Sequence, residues 1–316
     1  MKRESFIFNY FLVKLRFIKL MENKIACSEV PKLTFHTGNT IPQFGLGTHQ
    51  LQGEDCKTAL KIAISKGYRH IDTASIYKNG KEIGEVLKEF FDAKTLSREE
   101  VFITSKISPY EQGYEKATQA CQKILDELQV SYLDLLLIHW PGVSKMKPES
   151  TEIPNIRLDT WKAMEKLKEE GKVKDIGVSN FLVPHLEHLL QNSTSKPVIN
   201  QFELHPFCYN KELVDFCTQN NIIVEAYSSI AKGDEILMKN EYLVGLSKKY
   251  NKTVPQIALK WAIQKSIVII PKSKTEKYLA ENIDLWDFTL SSEEISEIDS
   301  LNKNHHICWD PSAVKN

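Results

Sequence analysis

The chain has 316 residues, 42% hydrophobic and 26% charged, with 41 basic against 41 acidic side chains and a formal net charge of zero. That length and balance suit one large α/β domain with a buried core, and they lack the electrostatic footprint of a nucleic-acid binder or a protein drawn to acidic lipid. Six scattered cysteines (Cys27, Cys56, Cys121, Cys208, Cys217, Cys308) include no Cys-x-x-Cys pair, a pattern of reduced cytosolic thiols rather than of a disulfide frame or zinc site.

Residues 1–29 stand apart. The stretch MKRESFIFNYFLVKLRFIKL mixes basic and apolar residues, and its apolar run from Phe6 to Val13 is too short to span a bilayer. It is read as a disordered extension outside the fold, or a mis-assigned start with Met21 as the real one, and a targeting or membrane-surface segment is the second reading. The domain is taken as residues 30–316.

Lys32-Leu-Thr-Phe and Ile41-Pro-Gln-Phe flank a turn at Gly38-Asn39 and read as a hairpin. Strand-like and helix-like segments then alternate. Strands are expected at 44–48, 68–72, 101–106, 133–139, 174–179, 198–203, 222–227 and 267–270. Helices are expected at 55–66, 81–91, 114–128, 158–170, 183–191 and 211–220, then at 241–250, 253–264, 275–282 and 291–301. The last opens with Ser291-x-x-Glu294, a capping box. Eight strands joined through helices imply right-handed parallel crossovers and an eight-fold (β/α) TIM barrel, with an N-terminal hairpin and extra helices near the C-terminal end. A doubly wound sheet would need a glycine-rich turn into a helix, and Gly45-Leu-Gly47 runs on without its third glycine.

Three of the expected strands end in ionisable residues: Asp72, Lys106 and His139, with Tyr77 just beyond the first. Strands buried on both faces finish in charge where their ends open into a site, at the C-terminal mouth of the barrel. A free tyrosine titrates near 10, and a lysine ammonium beside it is expected to lower that value. An aspartate would hold the lysine, and a neutral histidine would steady a carbonyl oxygen before the phenol. This set suits protonation of an oxygen that becomes an alkoxide as hydride adds to the carbonyl carbon. Taken singly, Asp72 reads more simply as a turn cap and Tyr77 as a loop tyrosine; at matched strand ends the functional reading prevails.

Three other patterns are set aside. Tyr77-Lys-Asn-Gly-Lys81 spells Tyr-x-x-x-Lys, but Asn79-Gly80 breaks it and Lys81 reads as a solvated helix start. His205, His305 and His306 lack metal-ligand spacing and Cys208 does not supply it, so no metal is expected. Gly177-Val-Ser-Asn-Phe lacks the second glycine of a nucleophile elbow.

Seven motifs in order carry a family resemblance. They are Gly67-Tyr-Arg-His-Ile-Asp72-Thr-Ala-Ser-Ile-Tyr77, Ser105-Lys106, Leu133-Asp-Leu-Leu-Leu-Ile-His139-Trp-Pro and Gly177-Val-Ser179-Asn180-Phe. Asn200-Gln201-Phe-Glu-Leu-His-Pro, Ala226-Tyr227-Ser228 and Ile270-Pro-Lys272-Ser273 complete the set. Over about residues 30–312 the chain resembles the aldo-keto reductases. The resemblance implies NADPH-dependent reduction of aldehydes or ketones, aldoses among them, by a cytoplasmic monomer with a small-molecule carbonyl partner and no membrane contact. It makes Tyr77 the proton donor, tuned by Lys106; Asp72 anchors Lys106, and His139 orients the carbonyl.

By the same resemblance the nicotinamide stacks on Tyr227, with its carboxamide held by Ser179, Asn180 and Gln201. Gly47, Thr48, Asp72, Ser228 and Ile230 are further cofactor contacts. Lys272, Ser273 and Thr275, ahead of a helix, suit a phosphate, and Glu281 and Asn282 match the adenine pair. Tyr278 stands where NADPH-preferring members usually carry an arginine. Lys272, aided by Lys274 or Lys277, keeps the expectation at NADPH, with NADH as the alternative. His49 replaces a common tryptophan, which makes the substrate wall more polar or narrower there. That wall is expected from His49, Ile76, Tyr77, His139, Trp140 and the segment His305–Trp309. Residues 142–156 are expected as a mobile loop over the site, and the short segment 228–234 as leaving the cofactor cleft open. The rival reading is a barrel that binds NADPH without useful turnover, as a regulatory or redox-sensing subunit.

Overall fold

Residues 30–316 are described by a computed structural model, and the expected extension over 1–29 lies outside the described residues. The chain enters through the expected hairpin, β1 (Lys32–Thr34) and β2 (Thr40–Pro42), with Leu33 opposite Ile41. Its turn closes by a hydrogen bond from Phe35 N to Asn39 O (2.8 Å), and Gly38 takes φ 92°, a backbone that suits glycine.

Eight parallel strands follow: β3 (Leu46–Gly47), β4 (His70–Asp72), β5 (Phe102–Ile107), β6 (Leu133–Ile138), β7 (Val173–Ser179), β8 (Ile199–Glu203), β9 (Ile223–Tyr227) and β10 (Val268–Ile269). They pair in sequence order, and the edges meet where Gly45 N donates to Ile269 O (2.8 Å) and Ile269 N to Gln43 O (3.0 Å). The first expected strand is therefore split: Phe44 and Gly45 bond to β10, Leu46 and Gly47 to β4. Gly47 is needed at this seam, because a Cβ there would stand 2.6 Å from Ile270 O.

The helices of the first six crossovers are α1 (Gly53–Ser65), α2 (Gly80–Asp92), α3 (Tyr114–Leu128), α4 (Ile153–Glu169), α5 (Val183–Asn192) and α6 (Lys211–Gln219). The seventh carries α7 (Glu235–Met238), α8 (Glu241–Tyr250) and α9 (Val254–Gln264). After β10 come α10 (Glu276–Ile283) and α11 (Ser292–Ser300). The capping box at α11 forms as expected, with Ser291 N donating to Glu294 Oε2 (2.8 Å) and Glu294 N to Ser291 Oγ (3.2 Å).

One expectation is corrected. α4 starts at Ile153, not 158, because Pro154 sits in its first turn, where the missing N–H costs nothing. The last four residues of the expected loop 142–156 are thus helical. The rest is tied down: Ser144 N donates to Pro109 O (2.9 Å) and Lys315 N to Pro148 O (2.7 Å).

Side chains alternate along each strand, so Phe102, Thr104 and Lys106 share the inner face of β5, as Leu135 and Leu137 do on β6. At the N-terminal end Phe35 and Ile41 of the hairpin pack with Phe102, Leu135, Leu137, Ile199 and Val268, plugging the barrel. Outward residues such as Ile103, Leu136 and Ile176 join the larger core under the helices. Halfway up, Gly177 leaves room that a Cβ would take from Ile199 Cγ2 and Leu137 Cδ2, at 2.7 and 2.8 Å. With one end plugged, polar residues at the other face the open mouth of the barrel.

Candidate active site

Lys106, the last inward residue of β5, is fully buried. A lone ammonium there would be costly, and it is satisfied by Asp72 at the end of β4: Nζ donates to Asp72 Oδ2 (2.7 Å) and to Thr73 O (3.0 Å). Burial works against its charge, but Asp72 outweighs it and the ammonium is held above its ordinary value. The Tyr77 ring lies with its centroid 5.3 Å from Lys106 Nζ, and the His139 ring meets it edge-on at 5.6 Å. The structure therefore brings together the four residues that the strand ends suggested.

One electrostatic expectation is corrected. Burial pushes the Tyr77 phenol above its ordinary value; the Lys106 charge pulls it down, Asp72 pushes it up again, and the net direction is upward. Tyr77 is thus a neutral O–H at neutral pH. His139 lies well below its ordinary value, from burial first and then the Lys106 charge, so its imidazole is neutral as expected.

Two supports were missed from sequence. Asn79, read only as a segment break, is fully buried. It accepts from Thr73 Oγ1 (2.7 Å) and donates to Thr48 O and Leu51 O (3.0 Å each), bracing the turn Ser75–Tyr77. Lys81, by contrast, is exposed at the start of α2, on a different element from Tyr77. Glu225, inward on β9, is the second support. Gln201 Nε2 donates to both Asp72 Oδ2 (2.8 Å) and Glu225 Oε2 (2.9 Å), and burial with the Asp72 charge pushes Glu225 up to about 8. A charged residue at inward parity, two before Tyr227, was the available signal.

Of the expected cofactor residues, Ser179, Gln201 and Tyr227 lie on β7, β8 and β9, and Asn180 follows β7. Asn180 (φ 63°) donates to His139 O (2.9 Å) and Ser179 Oγ (3.0 Å), and accepts from Tyr227 Oη (2.7 Å), which fixes the tilt of the half-buried Tyr227 ring. Among the described residues, the Ser179 hydroxyl hydrogen and Gln201 Oε1 have no hydrogen-bond partner, since the carboxylates engage the amide nitrogen of Gln201. Gly47 ends β3, and Thr48 Oγ1 is spent on Asp72 O (2.8 Å). Ser228 takes φ 52° with its Oγ 3.7 Å from Cys308 Sγ, and Ile230 packs on the core. Beyond β10, Ser273 Oγ accepts from Thr275 N (3.1 Å) ahead of α10. Tyr278, Glu281 and Asn282 follow on that helix, Tyr278 at 54% exposure and Asn282 buried.

Of the residues expected in the substrate wall, His49 stands 4.9 Å from Tyr77, centroid to centroid, and Ile76 is exposed. Trp140 and Trp309 meet edge-on at 4.9 Å, so the tail residue packs against Trp140 while staying 52% exposed. The tail is anchored by Glu203, which accepts from Ile307 N (2.9 Å) and Cys308 N (3.1 Å). Lys232 of the segment 228–234 reaches it too, donating to Ile307 O (3.2 Å).

The buried histidines predict acid lability. Burial lowers His70 to about 3 and His185 to about 4, and His139 in the same direction. Each is neutral when folded but takes up a proton on unfolding below about 6.5, so stability is lost as pH falls through that value. Glu225 has the opposite sign, its contribution fading as pH rises from the ordinary carboxylate range to about 8. The three imidazoles outweigh the one carboxyl, so a net loss of stability is expected as pH falls below about 6.5. Urea unfolding at stepped pH measures this; a flat profile would contradict the neutral buried imidazoles.

Residues 42–303 match the family model described as Aldo/keto reductase family. The chain is 45% identical over 280 residues to glyoxal reductase of Bacillus subtilis, covering 88% of this chain and 95% of that one. It is 42% identical over 281 residues to the 9,11-endoperoxide prostaglandin H2 reductase of Trypanosoma cruzi, covering 88% and 94%. Among solved structures, the Bombyx mori aldo-keto reductase in complex with NADP superposes with a TM-score of 0.81 at 34% identity, covering 88% of this chain and 95% of that one. With the barrel and the strand-end residues already in hand, these matches place the chain in the aldo/keto reductase family, and it is an oxidoreductase.

Proposed function

We propose that the protein reduces aldehydes or ketones to alcohols with NADPH, and that Tyr77 delivers the proton. One observation carries this reading: a fully buried Lys106 held by Asp72, with the Tyr77 ring against it and His139 edge-on to that ring at the open end of the barrel. Neutral His139 donates a hydrogen bond to the substrate oxygen and holds it before the phenol. Tyr77, kept protonated by burial, gives up its proton only as that oxygen turns into a strongly basic alkoxide. Lys106 then stabilises the phenolate left behind, and Asp72 keeps the ammonium charged and aimed. The cofactor, when bound, supplies the hydride.

The residues fit a nicotinamide. A primary carboxamide offers one acceptor and one donor group, and the mouth presents the Ser179 hydroxyl and Gln201 Oε1 to match them. Tyr227 is the ring to stack on. For the phosphate end, Lys274 is paired with Asp55 (3.0 Å) and Lys277 lies 3.7 Å from Glu281, whereas Lys272 has no ion-pair partner among the described residues. Its charge is felt at His49 on the rim. Lys272 thus carries the preference for the extra phosphate that Tyr278 cannot. Lys272→Ala should raise the Kd for NADPH roughly tenfold or more and leave NADH nearly unchanged. Fluorescence titration with each cofactor measures this, and equal losses would remove Lys272 from the preference.

The reading is tested by following nicotinamide oxidation with NADPH and NADH across aldehydes, dicarbonyls, ketosteroids and aldoses. Tight cofactor binding with no carbonyl consumed anywhere in the panel would favour a regulatory barrel instead.

A further inference from the structure

Beside the mouth, three side chains outside the proposed hydride and proton transfer converge from distant parts of the chain. Glu203 ends β8. The chain then folds back, His205 N donating to Cys208 O (3.2 Å) and Cys208 N to His205 O (2.9 Å), which returns Cys208 toward that strand end. From the tail, Lys303 N and His305 N both donate to Phe207 O (3.2 and 2.8 Å), setting His306 over the same spot. His306 Nδ1 lies 3.4 Å from Cys208 Sγ and 3.4 Å from Glu203 Oε2. One ligand atom from each residue lies within 4.8 Å of the others. The expectation that Cys208 and His306 form no ligand set rested on their separation along the chain, which the fold removes.

We propose that Glu203, Cys208 and His306 bind a single thiophilic divalent cation of zinc's class, clamping the C-terminal tail to the barrel rim. The donor set of one thiol, one imidazole and one carboxylate is the kind that zinc takes. Ligand lengths of about 2.0–2.3 Å in a tetrahedron require edges of roughly 3.3–3.6 Å, and the two edges at His306 Nδ1 fall in that window, while the Glu203–Cys208 edge lies within 4.8 Å.

The neighbours are compatible with a cation. Each Glu203 oxygen accepts one backbone N–H and keeps a lone pair, and His205 Nε2 stands 3.4 Å from Glu203 Oε1. Burial raises Glu203, but the His205 contact and the two backbone N–H groups outweigh it, so the carboxylate stays ionised. Cys208 is a neutral thiol in the free protein, pushed up to about 12 by burial, and it gives up its proton as the cation binds. His306 is partly exposed, leaving an entry path and a fourth position for water. Trp309 follows three residues later against Trp140, so the clamp would stiffen the substrate wall.

The test uses the full chain, stripped with a chelator and titrated with Zn²⁺ against a chromophoric competitor, with Co²⁺ as a spectroscopic probe. One ion per chain is expected, with a sulfur-to-cobalt charge-transfer band. Cys208→Ser and His306→Ala should each weaken zinc by roughly 100-fold and abolish or shift that band, while Cys308→Ser leaves both intact. His306 is surface-placed, so His306→Ala keeps the test valid should Cys208→Ser fold poorly. Unchanged zinc affinity in both variants, loss in Cys308→Ser instead, or no saturable binding by the wild type would overturn the site. None of these readouts depends on carbonyl reduction.

Discussion

Tyr77→Phe should lower kcat by about 10²–10⁴-fold, the usual worth of a positioned general acid, while cofactor Kd stays within about twofold of wild type. The substitution removes one oxygen and keeps the ring, so the contacts with His49 (4.9 Å) and His139 (5.6 Å) persist. A rate loss of that size is a barrier increase of roughly 3–5 kcal/mol, far above what a lost packing contact at the mouth would produce. Stopped-flow reduction of an aldehyde, paired with a binding titration, separates the two parameters. Turnover near the wild-type level would exclude Tyr77 as proton donor. Equal loss of binding and turnover would point to a merely structural ring.

Lys106→Met should destabilise the fold by about 3–5 kcal/mol in addition to removing turnover. The side chain has no solvent to retreat to, and its departure leaves Asp72 buried without its counter-charge. Glu225, already pushed up partly by Asp72, lies on the far side of the Gln201 amide and cannot take up that role. Adding Asp72→Asn to the same chain removes the stranded carboxylate and should recover most of the stability, with no recovery of activity. Urea unfolding of the two single variants and the double variant gives the coupling. A single variant within about 1 kcal/mol of wild type would mean that the pair is far less dehydrated than its burial indicates.

Much of this was readable along the chain because its signals are local. Strand runs such as Leu133–Ile138 and helical stripes such as that of α2 repeat with the periods of their own backbones, so each could be recognised without its neighbours. Runs ending in Asp72, Lys106 and His139 marked which end of the barrel opens, for the same reason. Where local signals misled, a second element was responsible. The helix starts at Ile153, with Pro154 sitting harmlessly in its first turn, where a loop through 156 was expected. The loop ahead of it is held by the tail, through Lys315 N on Pro148 O.

What residue order by itself determined is the succession of elements and the chemical kinds of side chain at their ends. Only the closed barrel decided what those side chains are. It makes Tyr77 a neutral acid and not an easily ionised phenol, turns Glu225 into a raised carboxyl, and makes Asn79 a brace. It also sets Cys208 beside His306 across 98 positions of chain. The reason is physical: periodicity belongs to one segment, whereas dehydration and the field at an atom are sums over every strand that surrounds it.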